Sequence, residues 1–334
     1  MPPHQILCTL EVILINPLVA VRDIHFAASV IVAGIVFFDL FIAVPVLRAD
    51  LRFPATEALF ADRTTKIVWV NLALSLASAF FWLCLLSARI AGKPFDAVIA
   101  DGTIWIVLSR TQFGFAWAMR LGFGIMLAAC LLPRRKGAAI WPGVWAALLA
   151  GGYLGLLAFA GHGEEGLGLE RNVHLVADFL HLIAAGLWLG GLVPLALLLS
   201  CLRRFREEAW VKAASDAASR FSTLGILAVG ILLISGTINA SFLIGGIQSL
   251  TDTFYGRLLL LKIALFAAMV LLAGINRQYF LPRLCGDAGI DQCLMIQRLV
   301  RNTLAEMSLG LGIILIVGIL GIMAPANDMA GHLH

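Results

Sequence analysis

The sequence of 334 residues contains few charged side chains. Only 13% of its residues are Asp, Glu, Lys or Arg, whereas a typical soluble domain contains about 25%. Hydrophobic residues make up 61% of the chain. This composition excludes an ordinary soluble globular protein and indicates a protein that resides in a membrane.

The sequence also lacks the signatures of several functional classes. Its six cysteines form no CxxC pair, which favours small apolar packing residues over a cysteine metal site. No nucleotide-binding motif is present, so any transport is expected to be passive or coupled to a gradient. The basic residues are divided among short loops and do not indicate binding of nucleic acid. No cleavable signal peptide is expected, because no basic region precedes an apolar one at the N-terminus.

Long apolar stretches occupy most of the chain. A helix needs about 20 such residues to cross a bilayer, and eight stretches qualify, near residues 24–47, 67–88, 111–132, 140–160, 174–201, 221–244, 258–280 and 302–324. The sequence therefore predicts an all-α, polytopic membrane protein, built as a bundle of eight transmembrane helices. We divide it into an N-terminal periplasmic segment (1–21), a single membrane domain (22–324) and a periplasmic tail (325–334).

The distribution of Lys and Arg predicts the orientation of this bundle. These residues are concentrated in alternate regions between the apolar stretches, namely 48–66, 133–139, 202–220 and 277–301. The positive-inside rule assigns such regions to the cytoplasm. With eight spans, both termini are then expected in the periplasm.

The fifth apolar stretch, HLVADFLHLIAAGLWLGGLVPL, contains three ionisable residues: His174, Asp178 and His181. Spacings of four and three residues place them on one helical face. Ionisable side chains inside a membrane helix are costly, and they are functional-site candidates by default. In the predicted orientation this face lies near the periplasmic surface. His25, at the start of the first span, and His162, at the end of the fourth, are expected on the same side.

These residue types are typical of a metal site. Histidine is the commonest metal ligand, and a carboxylate can either ligate the metal or orient an imidazole. Imidazole suits copper, zinc, iron and nickel, so the ligand type alone leaves the metal open. The candidate metal ligands are His25, His162, His174, Asp178 and His181.

Further ionisable residues lie inside the predicted spans, and we expect them to face the bundle interior because they are costly in hydrocarbon. They are Asp39, Arg120, Lys262 and Glu306. The first three are candidates to line a path for an ion. Alternatively they form pairs between helices, for example Arg120 with Asp178 or Asp39.

Seven segments, in order along the chain, carry a resemblance to a known family. They are RDIHFAASVIVAG, FGFAWAMRL, GHG, HLVADFLHLIAAGLWLGGLVPL, RFSTLGILAVGILLISGTINA, YGRLLLLKIALFAAMVLLAGINRQYFLPRL and MAPA. With these segments the chain resembles the copper resistance protein D (CopD) family of bacterial inner-membrane proteins. The resemblance covers about residues 20–325 and is strongest over 158–325.

The resemblance implies a role in copper homeostasis and copper resistance at the inner membrane. It implies movement of copper ions from periplasm to cytoplasm, with a periplasmic CopC-like protein as the donor. Only about 20 residues precede the first span, so this donor is expected to be a separate protein. The histidines that match the family pattern are His25, His162, His174 and His181, whereas His332 and His334 have no place in it. Membrane lipid is the other expected partner.

Two alternatives to copper transport stay open at this point. A haem b-binding electron carrier would use histidines of adjacent helices as axial ligands. His25 and His181 could form such a pair, with Arg120 or Lys262 near a propionate. A copper-binding sensor or assembly protein would hold the metal without transporting it. None of these functions is enzymatic, and we predict no enzymatic activity.

Overall fold

The computed structural model describes residues 16–47, 54–132, 141–160, 168–202, 208–244, 246, 248–285 and 292–323. Within these ranges almost every residue is helical and no β-strand occurs. The structure therefore belongs to the all-α class, as the sequence predicts.

Eight helices in the described part of the chain are long and apolar enough to cross a membrane. They are α1 (Pro17–Leu47), α2 (Thr56–Ala91), α3 (Gln112–Leu131), α4 (Gly143–Ala160), α5 (Leu169–Leu202), α6 (Ala209–Leu243), α7 (Phe254–Leu284) and α8 (Gln292–Leu320). The predicted number of spans is confirmed. Following the predicted orientation, we call the end of the bundle at which α1, α3, α5 and α7 begin the outer end.

Several helices begin before the apolar stretches that predict them. The helix α6 begins at Ala209, whereas its apolar stretch begins near 221. The intervening residues are rich in Ala and include Lys and Arg, which favour helix although they are not apolar as a group. At the start of α1, the Asn16 side chain accepts a hydrogen bond of 3.0 Å from the Leu18 amide. Pro17 fits the first helical position, so the helix begins four residues before the predicted end of the periplasmic segment at residue 21.

Two short helices, Phe95–Ala100 and Thr103–Arg110, lie in the connection between α2 and α3. The apolar pattern leaves this region as a loop. Gly102 separates the two helices with a φ of 77°, a left-handed conformation that favours glycine.

The helix α1 lies at the centre of the bundle and packs against α2, α4, α5 and α8. Its closest approach is to α5. A Cβ atom on Gly34 would overlap the backbone of Gly190, and one on Gly190 would overlap the carbonyl group of Val30. Small residues of this kind let the backbones of membrane helices approach closely. The contact between α1 and α5 therefore joins the α1–α4 half of the bundle to the α5–α8 half.

Three of the long helices contain a single π-helical turn. The turns are Asp39–Ala43 in α1, Gly186–Gly190 in α5 and Asn276–Phe280 in α7. Such turns inside α-helices are frequent at functional sites. The turn in α5 is the one that contacts α1, and it separates the outer half of α5 from the inner half.

Candidate metal site

The side chains of His174, Asp178 and His181 on α5 face α6. The ring of His174 stacks on Phe242, with the ring centroids 4.9 Å apart. One turn deeper, Asn239 Nδ2 donates a hydrogen bond of 3.1 Å to Asp178 Oδ1. Because α5 and α6 are antiparallel neighbours, the partners on α6 follow in reverse order along the chain. The common face that the spacing predicts is therefore the face in contact with α6.

His181 lies deepest of the three, and its hydrogen bond determines which ring nitrogen is available. Its Nδ1 lies 3.0 Å from Ser235 Oγ. The Ser235 hydroxyl donates to the Ile231 carbonyl over 2.6 Å, so its oxygen accepts from His181 and Nδ1 carries the proton. Among the described residues Nε2 has no hydrogen-bond partner and keeps its lone pair. Gly236 faces the Cε1 edge of this ring and has no side chain to cover it.

Lys262 of α7 brings a positive charge to the same place. It lies within electrostatic reach of both Asp178 and His181. The Asp178 carboxylate thus lies in the electrostatic field of the Lys262 ammonium group. A metal ion that binds at Asp178 has to compete with the Lys262 ammonium group for this carboxylate.

His25 lies in a different environment, fully buried among α1, α2 and α3. Its Nε2 lies 2.6 Å from Arg120 Nη1. A guanidinium group only donates, so Nε2 is the acceptor, and Nδ1 carries the proton that it donates to the Ser75 carbonyl over 2.9 Å. Both ring nitrogens are engaged, and ligation of a metal by His25 would require loss of one of these bonds.

Arg120 connects this buried network to α4. Its Nε donates to the Tyr153 carbonyl over 2.9 Å, and the guanidinium lies over the Tyr153 ring at 4.7 Å from the centroid. Its Nη2 lies 3.4 Å from Ser29 Oγ. The predicted pairing of Arg120 with Asp178 or Asp39 is not observed, because His25 and the Tyr153 carbonyl take its donors instead.

The remaining predicted residues are placed as follows. Asp39 begins the π turn of α1 on the exposed surface of the bundle, so the expectation that it faces the interior is not met. Lys262 is half-buried in α7. The predicted ligand His162 and the tail residues His332 and His334 lie outside the described residues.

The structure does not join those predicted ligands that it describes into one compact site. In the part of the chain that it describes, no three His, Cys, Asp or Glu side chains form a group that could hold a metal ion. His174, Asp178 and His181 instead follow one another along α5, and His25 lies in the Arg120 network. Metal ligation by these residues stays a prediction.

Two residues that the sequence places at the edge of the first span are buried. Arg22 and Asp23 are 9% and 8% exposed. Arg22 Nη1 donates to the Gly321 carbonyl over 2.7 Å, and a Cβ on Gly318 would overlap the Asp23 carboxylate. The signal in the sequence is this pair of adjacent charges, which only Ile24 separates from His25, at the start of a largely apolar stretch. Sequence reasoning also missed Ser235. This residue and Asn239 are four positions apart and so lie on one face of α6, the face that contacts His181 and Asp178 of α5.

Two family models match the chain. Copper resistance protein D matches residues 215–320, and the copper resistance protein D-like N-terminal domain matches residues 13–172. The chain belongs to the copper resistance protein D family. The N-terminal match covers α1–α4 and the other covers most of α6–α8, so His174, Asp178 and His181 lie between the matched ranges.

Three relatives are similar to most of the chain. Copper transport protein CutJ of Bacillus subtilis (strain 168) is 30% identical over 297 residues, which are 88% of this chain and 50% of that protein. Inner membrane protein YebZ of Escherichia coli (strain K12) is 29% identical over 309 residues, 92% of this chain and 98% of that protein. Copper resistance protein D of Pseudomonas syringae pv. tomato is 27% identical over 314 residues, 93% and 97% of the two chains. The chain thus spans about half the length of the Bacillus protein. No solved structure matches it.

Family membership and the eight apolar helices define a multi-pass protein of the bacterial inner membrane. The predicted family is confirmed, and with it the link to copper resistance and transport at the level of the family. Two of these relatives are named as a copper transport protein and a copper resistance protein, and neither name is that of an enzyme.

Proposed function

We propose that this protein moves copper ions across the inner membrane from periplasm to cytoplasm, and that copper enters along the seam between α5 and α6. One observation carries the proposal. Ser235 accepts a hydrogen bond from the Nδ1–H of His181, which among the described residues leaves the Nε2 lone pair without a donor, three residues along α5 from Asp178. Metal-ligating histidines commonly donate their other ring N–H in this way, because the second bond fixes the tautomer and the ring orientation.

Copper is the substrate of this path. We propose that it binds to successive ligands one after another, and not to all of them at one site. We assign capture to His162 and His174, followed by transfer to Asp178 and His181. Successive residues at these spacings are roughly 5–6 Å apart on a helix, and the whole step from His174 to His181 is about 10 Å deep. Conduction requires sites that bind strongly enough for entry and weakly enough for release. A row of sites with one or two ligands each meets that requirement better than one closed site.

Lys262 tunes this path, whereas His25 has a structural role in the described arrangement. Lys262 balances the Asp178 carboxylate when no copper is bound, and it favours release of the metal because it competes for the same carboxylate. His25 is a ligand only in a second state, in which Arg120 has released its Nε2. In the described arrangement the His25–Arg120 pair belongs to the scaffold of the path.

We further propose that copper reaches the outer end from a periplasmic copper-binding protein of the CopC type. A row of sites with few ligands holds copper weakly, so it needs a donor that raises the local supply. Loss of the donor should therefore lower copper accumulation at low external copper and matter less at high copper.

Copper uptake into proteoliposomes tests the path. We expect His181→Ala to lower the initial rate at least tenfold at limiting copper, since the Nε2 ligand is lost. Ser235→Ala should raise the half-saturating copper concentration about 10-fold or more, the usual effect of losing a residue that orients a ligand. Thr237→Ala is the matched control, because among the described residues this hydroxyl bonds only to the Leu233 carbonyl of its own helix. Wild-type uptake by His181→Ala at normal protein levels would contradict the proposal.

The same preparation separates the alternatives. Copper binding that depends on His181, without any uptake, would indicate the sensor or assembly protein. A haem b carrier would show a Soret band. The predicted axial pair of His25 with His181 has no support in the geometry, because both ring nitrogens of His25 are engaged by Arg120 and Ser75.

A further inference from the structure

A second polar site lies in the inner half of the bundle, away from the histidines. A cavity of about 210 Å³ opens there between α5, α6, α7 and α8. Its lining is mainly apolar and includes Trp188 and Phe221. One carboxyl group, that of Glu306 on α8, belongs to this lining.

In the part of the chain that the structure describes, Glu306 is held by the amide group of Asn276 and by no cation. It is 2% exposed, and its Oε1 accepts a hydrogen bond of 2.8 Å from Asn276 Nδ2. The Asn276 Oδ1 in turn accepts from Asn302 Nδ2 over 2.8 Å, which fixes the orientation of the amide that reaches Glu306. Among the described residues no Lys, Arg or His forms an ion pair with Glu306, and its Oε2 has no hydrogen-bond donor.

The charged groups around the cavity are few. Arg277 of α7 lies at the exposed mouth, where its Nη1 donates to Ser222 Oγ of α6 over 2.9 Å. The described lining contributed by α5 and α6 contains no ionisable side chain. The helix α1 also packs against α8, but its Arg22 and Asp23 contact Gly321 and Gly318, more than three turns from Glu306.

A carboxylate that is buried in a membrane without a cationic partner is strongly unfavourable. Such a group therefore holds a proton or binds a cation. Copper is a poor candidate here, because the described lining contains no His, Cys or Met side chain. A proton fits, because it needs only the carboxyl group and a route for water to the mouth of the cavity.

The geometry leads us to propose that Glu306 is a proton-binding site filled from the inner side, and that its loss of the proton opens the inner exit for copper. The proton leaves the Glu306 carboxyl for water at the cavity mouth. The carboxylate that remains draws water into an otherwise apolar cavity. Protonation restores a neutral carboxyl group and a dry, closed wall. This inference rests on the proposed copper transport and adds a control by internal pH.

Two helices that carry residues of the copper path, α5 and α7, also form part of the wall of this cavity. On α5, the π turn Gly186–Gly190 follows His181 by five residues, and Trp188 within it lines the cavity. The next residue, Leu189, occupies the space beside Gly310, one turn beyond Glu306 on α8. On α7, which carries Lys262, the π turn begins at Asn276, the hydrogen-bond donor to Glu306. A change at Glu306 can therefore reach α7 through the bond to Asn276, and α5 through the packing of Leu189 against Gly310 of α8.

Proteoliposomes loaded at different internal pH values test the inference. With external conditions constant, we expect the wild-type copper uptake rate to rise roughly tenfold between about pH 6 and about pH 8 inside, as expected for one titrating group. Glu306→Gln keeps the acceptor for Asn276 but cannot ionise, so its rate should be low and independent of internal pH. Asp216→Asn, a change at an exposed acid on the inner part of α6, should keep the wild-type dependence.

The outcomes distinguish the two proposals. Wild-type uptake that ignores internal pH, or a Glu306→Gln variant that keeps the wild-type pH dependence, would overturn the proton site while copper transport stands. Absence of wild-type uptake at every pH would overturn copper transport instead. Infrared difference spectra of the purified protein test proton binding without copper: a pH-sensitive carboxylic acid C=O band that Glu306→Gln removes supports the site, and an unchanged band rules it out.

Discussion

Two histidines of this protein differ in the partners of their ring nitrogens. His25 accepts at Nε2 from an arginine, which is always charged, and donates at Nδ1 to a backbone carbonyl. His181 donates at Nδ1 to a serine, and among the described residues its Nε2 accepts nothing. The first arrangement joins helices, whereas the second presents a lone pair to a ligand. Residue type alone does not distinguish these roles.

The Arg120 network should contribute measurably to stability. Lysine at position 120 keeps the charge but cannot donate to His25, Ser29 and the Tyr153 carbonyl from one planar group. Hydrogen bonds between membrane helices average about 0.6 kcal/mol and reach about 1.7 kcal/mol, so Arg120→Lys should destabilise the fold by about 1–2 kcal/mol. Thermal unfolding in detergent measures this change.

Arg110→Lys is the matched control, because Arg110 is exposed at the end of a short helix between α2 and α3. Its melting temperature should equal that of the wild type. Equal melting temperatures for Arg120→Lys and Arg110→Lys would show that the network adds nothing to stability.

The sequence predicted the polar residues of α5 but not their partners. The spacing of His174, Asp178 and His181 is a property of one helix, and it gave the correct face. The bond from His181 to Ser235 depends on how α6 is aligned beside α5, which no local pattern encodes. The bond from Arg120 to His25 joins residues 95 positions apart. It required knowledge of which helices are neighbours, and the pairing of Arg120 with Asp178 or Asp39, which the sequence offered as one alternative, is not the one that the structure shows.

At the level of elements, the contact of Gly34 with Gly190 holds α1 against α5. A Cβ atom on Gly34 has no free space, because it meets backbone that cannot rotate away. Gly34→Ala should therefore destabilise the protein by about 1–3 kcal/mol, the usual cost of excess volume in a packed core. Thermal unfolding in detergent again gives the measurement.

Gly230→Ala in α6 provides the comparison. An added Cβ there meets nothing within 4 Å, and alanine favours helix by about 1 kcal/mol over glycine. This variant should be as stable as the wild type or slightly more stable. If both alanine variants behave alike, the close approach of α1 to α5 is not a tight contact.

The existence of the eight helices was predictable, because each carries a long apolar stretch. Their ends were less so, since Ala-rich and charged residues such as those at 209–220 continue the helix beyond the apolar part. The π turns left no pattern that we recognised in the sequence. In α7 the turn begins at Asn276, whose bond to Glu306 of α8 becomes visible only once both helices are placed together.

At the scale of the whole molecule, the bundle consists of two halves that meet at α1 and α5. The two family matches follow this division approximately, one on α1–α4 and the other on α6–α8. The helix α5 lies between them in sequence and at the junction in space. The candidate copper path therefore runs along the element that joins the halves.

The orientation of the bundle follows from its basic residues and can be measured. Single cysteines at Ser109, between α2 and α3, and at Lys212, at the start of α6, lie on exposed positions at opposite ends. In a background without the native cysteines, a membrane-impermeant maleimide should label Ser109→Cys in intact spheroplasts. Lys212→Cys should react only after permeabilisation.

The reverse pattern of labelling would place both termini in the cytoplasm. The seam between α5 and α6 would then open to the cytoplasm, and the proposed direction of copper movement would be wrong. Equal labelling of both positions before permeabilisation would indicate leaky cells, which a cytoplasmic marker protein detects.

The π turn of α5 has a consequence for insertions and deletions. In a π turn the hydrogen bonds join residues i and i+5 instead of i and i+4, so the turn accommodates one residue more than a regular α-helical turn. Each residue of an α-helix turns the chain by about 100°, so deleting one residue from Gly186–Gly190 would rotate one half of α5 against the other by that angle. If the inner half of α5 kept Leu192 and Leu195 in the cavity wall, the outer half would be rotated, and His181 would point away from Ser235. This turn thus sets the angle between the histidine face and the inner half of the same helix.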